Sequence, residues 1–146
     1  MSANPFVIER TYDAPVETVW KAITDLEQMR KWYFPDMEGF KPVVGTEFTF
    51  TGGKGDLVFT HLCKVMEVQP QKKLKHSWRY EGEPGNSFVT WELIPSGNKT
   101  TVRLTHEGLE TFPAIEHFAR TNFEKGWTQI VGTMLKEWLE KETVKG

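Results

Sequence analysis

The side chains in this sequence that are most capable of chemistry are one cysteine, two histidines and a tyrosine in predicted strands. His61 and Cys63 are two residues apart, so they lie on one face of a strand, where a thiol and an imidazole can meet. A buried cysteine is also typical of inert packing. Alternatively, His61, Tyr80 and His106 could move protons in a cavity that folds a reactive substrate. Acid–base catalysis therefore stays an alternative, with no residue assigned as catalytic.

Motifs for other chemistries do not occur in the sequence. It contains no HExxH, GxSxG, P-loop or GxGxxG pattern. The four histidines do not share a metal-ligand spacing, and the single cysteine excludes a thiolate zinc cluster. We therefore expect neither a metal nor a cofactor.

Composition and charge narrow the range of partners. The chain has 146 residues and a formal net charge of −2, with acidic and basic residues scattered along it. Nucleic-acid binding needs a cationic stripe, and none is visible. The N-terminal sequence MSANPFVIERTYD does not resemble a signal peptide, and no apolar run approaches the ~18 residues of a membrane span. We expect one cytoplasmic domain over residues 1–146, with no nucleic-acid partner and no stable membrane insertion.

Hydrophobic periodicity predicts the element order β-α-α-β-β-β-β-β-α. A first strand covers residues 5–12, and a helix whose first turn contains Pro15 follows it. Asp25 starts a second short helix. The period then changes to two, and five strands at hairpin spacing predict an antiparallel meander with a bulge near Val65.

The clearest pattern follows Pro113, where apolar residues recur at three- and four-residue steps and predict one long helix. The apolar stripe consists of Ile115, Phe118, Ala119, Phe123, Trp127, Ile130, Val131, Met134, Leu135, Trp138 and Leu139. From Ile130 onward these residues are large, which predicts a solid core. Earlier, the inner face includes Ala119, Asn122 and Gly126, which are small or polar. The sequence therefore predicts open space beneath the first half of this helix.

Aromatic residues of the strands would form the apolar wall of that space, and a few polar groups would orient a ligand. The predicted ligand-binding residues are Trp32, Phe48, Phe50, Phe59, His61, Trp78, Tyr80, Trp91, His106, Asn122, Phe123, Gly126 and Trp127. Aromatics at these periods are equally typical of an ordinary core. Gly126 could also mark close contact between the helix and the sheet.

Several segments form an ordered series of motifs: residues 8–20, 31–33, 44–48, 65–70 with Leu74 and Trp78, 101–108, and Gly126-Trp127 with Leu135 and Leu139. Taken in this order, they resemble the START-like (SRPBCC) superfamily, in the branch of homologues of the heat-shock-protein-90 ATPase activator. The resemblance implies an α+β helix-grip fold, in which a curved antiparallel sheet of about six strands wraps a long C-terminal helix around a cavity. One departure is Cys63, where relatives commonly carry glycine.

The resemblance implies binding of an apolar or amphipathic small molecule, such as a lipid, a sterol or a polyketide-like compound. Two alternatives stay open because one fold hosts many functions. The first is a polyketide-cyclase-like enzyme that uses polar residues of the cavity. The second is a co-chaperone-like protein with a chaperone partner.

Overall fold

The computed structural model describes residues 5–54, 57–113 and 120–145. The elements are β1 (Phe6–Tyr12), α1 (Val16–Thr24), α2 (Leu26–Trp32), β2 (Glu47–Lys54), β3 (Leu57–Gln69), β4 (Lys73–Tyr80), β5 (Ser87–Ser96), β6 (Lys99–Glu107), a 3₁₀ turn (Leu109–Thr111), α3 (Arg120–Gln129), a π-helical segment (Ile130–Met134) and α4 (Leu135–Lys145). The order agrees with the prediction. The glycine-rich segment 52–56 predicts a turn, but Gly52, Gly53 and Lys54 continue β2 and pair with β3, so the prediction is wrong at these three positions. Gly55, Asp56 and the predicted helix start with Ile115, Phe118 and Ala119 lie outside the described residues.

The strands form a six-stranded antiparallel sheet in the order β1-β6-β5-β4-β3-β2. The predicted meander from β2 to β6 is confirmed, and β1 closes the far edge by pairing with β6, so that Phe6 lies opposite His106. The predicted bulge is also confirmed, because the register of β3 against β4 shifts between Val65 and Glu67. Alternate residues of each strand therefore face the helices.

Short polar contacts fix the two N-terminal helices. Pro15 has an extended conformation and caps α1 from outside the helix, one position earlier than predicted. Asp25 caps α2 by accepting a hydrogen bond from the amide of Glu27 at 3.1 Å. The indole of Trp32 donates to the carbonyl of Ala22 at 2.7 Å and ties the two helices together.

The C-terminal helix contains a π turn that the sequence pattern did not predict. Its buried residues Phe123, Trp127, Val131, Leu135 and Leu139 are spaced by four. Four residues of α-helix rotate about 40° beyond a full turn, so this spacing drifts off one face. The wider π segment rotates less per residue and offsets part of that drift, which keeps the five side chains facing the sheet.

The π turn also frees a backbone acceptor. The amide of Leu135 donates to the carbonyl of Ile130 rather than to that of Val131. The carbonyl of Val131 accepts a hydrogen bond from the buried hydroxyl of Tyr12, which anchors the helix to β1. The carbonyl that loses its helical partner at the π turn is thereby hydrogen-bonded inside the protein.

The second half of the C-terminal helix lies on a dense aliphatic core, as predicted. Val131 and Leu135 have no solvent exposure, and they share the core with Val19, Val102 and Leu104. Among the helices of residues 5–54, 57–113 and 120–145, none combines the length and the apolar character needed to cross a bilayer.

Candidate ligand site

The interior changes character along the C-terminal helix. α4 packs on α1, whose buried residues are Val19, Ala22 and Ile23. The buried residues of α3, Phe123 and Trp127, instead contact rings of the strands and of the segment after β6. We call these rings the aromatic cluster: Tyr33, Phe34, Phe50, His61, Trp78, Tyr80, His106, Phe112, Phe123 and Trp127. Representative centroid separations are 4.5 Å for Phe50–His61, 5.3 Å for Trp78–Trp127 and 5.9 Å for Phe112–Phe123. Phe50–His61 and Phe112–Phe123 are stacked and Trp78–Trp127 is tilted, and all three separations lie in the range that aromatic pairs favour.

His106 joins the helix to two strands through both nitrogens of its ring. The indole of Trp127 donates to Nδ1 at 2.9 Å, so Nδ1 carries no proton. Nε2 therefore carries it and donates to Ser87 Oγ at 2.8 Å, while the Ser87 hydroxyl donates to the carbonyl of Trp78 at 2.7 Å. Both ring nitrogens of His106 are therefore hydrogen-bonded within the protein.

Burial keeps two histidines and the cysteine uncharged. Burial, with smaller contributions from His76 and His61, lowers the pKa of His106 to about 3. Burial lowers the pKa of His76 to about 4, although a hydrogen bond to the carbonyl of Ser77 opposes this shift. Burial also raises the pKa of the Cys63 thiol far above its usual value. A protonated, buried thiol is a poor nucleophile, which weighs against catalysis by a His61–Cys63 pair.

His61 and Tyr80 bring polar atoms to the aromatic wall. The two rings lie 4.7 Å apart, between centroids. His61 Nδ1 lies 3.1 Å from the carbonyl of Phe59, which makes Nδ1 the donor and leaves Nε2 as an acceptor in the neutral ring. The indole of Trp78 donates to the Tyr80 hydroxyl at 2.9 Å. The predicted juxtaposition of these groups is therefore found on neighbouring strands.

Tyr33, which was not among the predicted ligand-binding residues, lies at the centre of the cluster. It follows α2, and its ring is 5.0 Å from Trp32, 6.2 Å from Trp91 and 6.5 Å from Trp127. Its hydroxyl is buried and has no hydrogen-bond partner among the described residues. In the sequence, the apolar stripe of the second helix is Leu26, Met29 and either Trp32 or Tyr33, so the pattern does not single out Tyr33.

Phe34, also absent from the predicted residues, covers one side of this cluster and is itself half-buried. Its ring stacks on Phe50 at 4.2 Å and lies 4.5 Å from Tyr33. The strand opposite carries Gly52, where a Cβ atom would come within 3.2 Å of the Phe34 ring and 3.1 Å of His61. Gly52 therefore provides the room in which these two rings lie over the end of β2.

The predicted ligand-binding residues largely share one interior. Trp32, Phe48, Phe50, His61, Trp78, Tyr80, Trp91, His106, Phe123 and Trp127 are buried, and Phe59 and Gly126 are half-buried. Asn122 is exposed, so its predicted position on the buried face of the helix is wrong. Phe123 and Trp127 occupy the buried face of the helix instead. The binding role of every residue in the set stays a prediction.

Gly126 does not mark a tight contact between the helix and the sheet. A Cβ atom built at this position meets no atom of the described residues within 4 Å. The reading of Gly126 as a close-approach residue is therefore wrong. The flank of α3 beside Phe123 and Trp127 has room for a larger side chain.

The packed interior leaves a small enclosed space of about 10 Å³ next to Tyr33, Phe40, His76 and Trp91. This volume is close to the minimum for one water molecule. A ligand at this point would have to displace rings. A separate, more open groove of about 400 Å³ lies on the outer face of the sheet, where Leu62, Met66 and Phe88 alternate with the inward residues. The ligand-sized cavity between sheet and helix stays a prediction.

A curved antiparallel sheet that holds a long C-terminal helix defines the START-like helix-grip class. Solved structures agree. Protein MLL2253 from Mesorhizobium loti is 26% identical with a TM-score of 0.75, covering 94% of this chain and 98% of its own. CalU16 from Micromonospora echinospora is 26% identical with a TM-score of 0.72, covering 97% and 79%. DynU16, from the dynemicin biosynthetic locus, is 22% identical with a TM-score of 0.77, covering 94% and 48%.

Within this class, residues 13–140 match the family described as Activator of Hsp90 ATPase homolog 1-like protein. The chain belongs to this family, which confirms the resemblance that its motifs indicated. A search of the curated proteins finds no significant match.

Proposed function

We propose that this protein binds an apolar or amphipathic small molecule between the sheet and the first half of its C-terminal helix. The proposal depends on the uneven interior. An aliphatic core would suffice to hold the helix, as it does around Val131 and Leu135. Beneath α3 the chain instead buries His61, Tyr80 and Tyr33 among rings, and polar groups within an aromatic wall are typical of ligand sites.

Two further features favour access of a ligand to the interior beneath α3. Phe34 and Phe59 are half-buried, so rings of the wall reach the surface there. The flank of α3 at Gly126 is open, although glycine within a helix costs about 1 kcal/mol relative to alanine. A ligand that entered beside these residues would need rotation of peripheral rings and no unfolding of the sheet.

A thermal-shift screen of lipids, sterols, flavonoids and polyketides, followed by titration of tryptophan fluorescence, tests the proposal. A ligand present at 100 times its Kd should stabilise the fold by about 2.7 kcal/mol. Trp78 and Trp127 lie in the aromatic cluster, so binding should change their emission. Absence of any shift across the panel at high ligand excess would refute ligand binding.

Two glycine substitutions locate the site. Gly126→Leu should weaken binding while the protein stays folded, because the added side chain occupies the open flank. Gly132→Leu is the matched control, since a Cβ atom at Gly132 meets Arg10 at 3.7 Å and Thr128 at 4.0 Å, away from the aromatic cluster. Equal affinity in the two variants would place the ligand elsewhere.

A co-chaperone role is the second candidate, and the family match over residues 13–140 favours it. This role predicts that an Hsp90-type ATPase binds the protein and hydrolyses ATP faster in its presence. The two candidates separate experimentally, because Gly126→Leu should leave an effect on the ATPase unchanged unless the ligand site and the partner are coupled.

A further inference from the structure

The Tyr33 hydroxyl is a buried donor for which the described residues provide no acceptor. Tyr33 is 6% exposed, and five other rings lie within 6.5 Å of its centroid. Burial raises the pKa of Tyr33 well above its usual value, so the hydroxyl keeps its proton. An unpaired buried hydroxyl destabilises a fold, and phenylalanine would fill the same space without that cost. The presence of tyrosine rather than phenylalanine at position 33 therefore needs an explanation.

The protein contains a direct comparison in Tyr12. Tyr12 is 4% exposed, as buried as Tyr33, but its hydroxyl donates to the carbonyl of Val131. The Tyr12 hydroxyl therefore has a structural role, because it provides the hydrogen bond that the π turn leaves open at Val131. The Tyr33 hydroxyl instead lies among the rings of the proposed ligand site, beside the half-buried Phe34 at 4.5 Å. Rotation of Phe34 would open a path from the surface to Tyr33.

The charge of the surrounding side chains limits which groups of a ligand the Tyr33 hydroxyl can bind. Among the described residues, the buried polar side chains are those of histidine, serine and threonine, and none is lysine or arginine. The rings of His76 and His106 are neutral at physiological pH. A carboxylate or phosphate there would meet no buried lysine or arginine of the described residues and two neutral histidines, and burying a charge without a countercharge is costly. A neutral oxygen on a ring system fits both the aromatic wall and the hydroxyl of Tyr33.

We propose that Tyr33 donates a hydrogen bond to a neutral oxygen of the bound ligand, and that the ligand is an oxygenated ring compound and not an anionic lipid. This inference rests on the proposed function and specifies its ligand class. The Tyr33 oxygen discriminates between ligands, whereas the surrounding rings bind their apolar surface.

Three related probes test the inference: fluorenone, fluorene and 9-fluorenone-4-carboxylate. They share a three-ring skeleton but carry a carbonyl oxygen, no oxygen, and a carbonyl with a carboxylate. Dissociation constants are measured for the wild type, Tyr33→Phe and Tyr12→Phe. In the wild type, fluorenone should bind most tightly. Tyr33→Phe should weaken fluorenone binding by about three- to tenfold and leave fluorene binding unchanged.

Thermal melting without ligand gives a second readout. Tyr33→Phe should raise Tm by about 2–4 °C, because it removes an unpaired buried hydroxyl. Tyr12→Phe should lower Tm, because it leaves the carbonyl of Val131 without its donor, and it should keep the preference for fluorenone.

The possible failures are distinguishable. If fluorenone binds the wild type and Tyr33→Phe equally, or if Tyr33→Phe lowers Tm as Tyr12→Phe does, the inference is overturned while ligand binding stands. Tightest binding of the carboxylate probe overturns the neutral ligand class. If neither these probes nor the wider panel bind the wild type, the proposed function fails, and this inference fails with it.

Discussion

Mild acid should unfold this protein, because two of its buried histidines must stay neutral in the fold. The pKa of His106 is about 3 and that of His76 about 4, against 6.5 for an unperturbed histidine. Because the pKa values of both histidines are lowered in the folded protein, the unfolded chain binds protons in this pH range that the folded chain does not bind. Stability therefore rises with pH through this window, is complete above about pH 7 and is lost as pH falls from 6.5 towards 4.

The magnitude follows from the size of these shifts. At pH 4, each histidine should have lost about 3 kcal/mol of the stability that it contributes near neutral pH. The sum for His76 and His106 is comparable with the whole free energy of unfolding of a typical domain, about 5–15 kcal/mol. The protein should be largely unfolded near pH 4.

Urea unfolding at several pH values, followed by tryptophan fluorescence, measures this effect. The midpoint should fall steadily between pH 6.5 and pH 4 at a constant m-value. His106→Gln removes one titrating group, so the slope of stability with pH should fall by about half. Ser87→Ala is the control: it removes the partner of His106 but retains the ring, and should lower stability at every pH with little change in slope.

Two results would refute this reasoning. A stability that is flat between pH 6.5 and pH 4.5 would mean that the buried histidines accept protons in the folded state. An unchanged slope in His106→Gln would assign the acid sensitivity to other groups. Either result would also remove the argument that the interior beneath α3 is electrically neutral.

Three substitutions test other parts of the fold and site. Gly126→Ala should raise stability by about 1 kcal/mol in urea unfolding, because the added methyl group meets no atom of the described residues and alanine favours the helix; a loss of stability would contradict the open flank. Gly52→Ala should push Phe34 outward and reduce ligand affinity in fluorescence titrations, since the new Cβ atom would lie 3.2 Å from that ring; unchanged affinity would exclude Phe34 from the site. Leu135→Ala should cost about 2–5 kcal/mol by leaving a cavity in the aliphatic core, while ligand affinity in the folded protein stays the same.

The sequence alone predicted most of the fold because periodicity is a local property. Alternation marked the strands, and three- and four-residue steps marked the C-terminal helix. The large apolar residues from Ile130 onward were correctly read as solid core, in which Val131, Leu135 and Leu139 are buried. The shift of period near Val65 was correctly read as a bulge. Ordered motifs, each of low specificity, were sufficient to indicate the family that the match over residues 13–140 confirmed.

The tertiary structure decided the partners of each polar group. Nothing local indicates that His106 joins Trp127 to Ser87, or that the hydroxyl of Tyr12 finds a partner while that of Tyr33 does not. These outcomes depend on distant backbone placed by the sheet register and by the π turn. Asn122 was misplaced for a related reason: hydrophobic spacing identifies a face of a helix only to within a residue or two, and packing determines which flank is exposed.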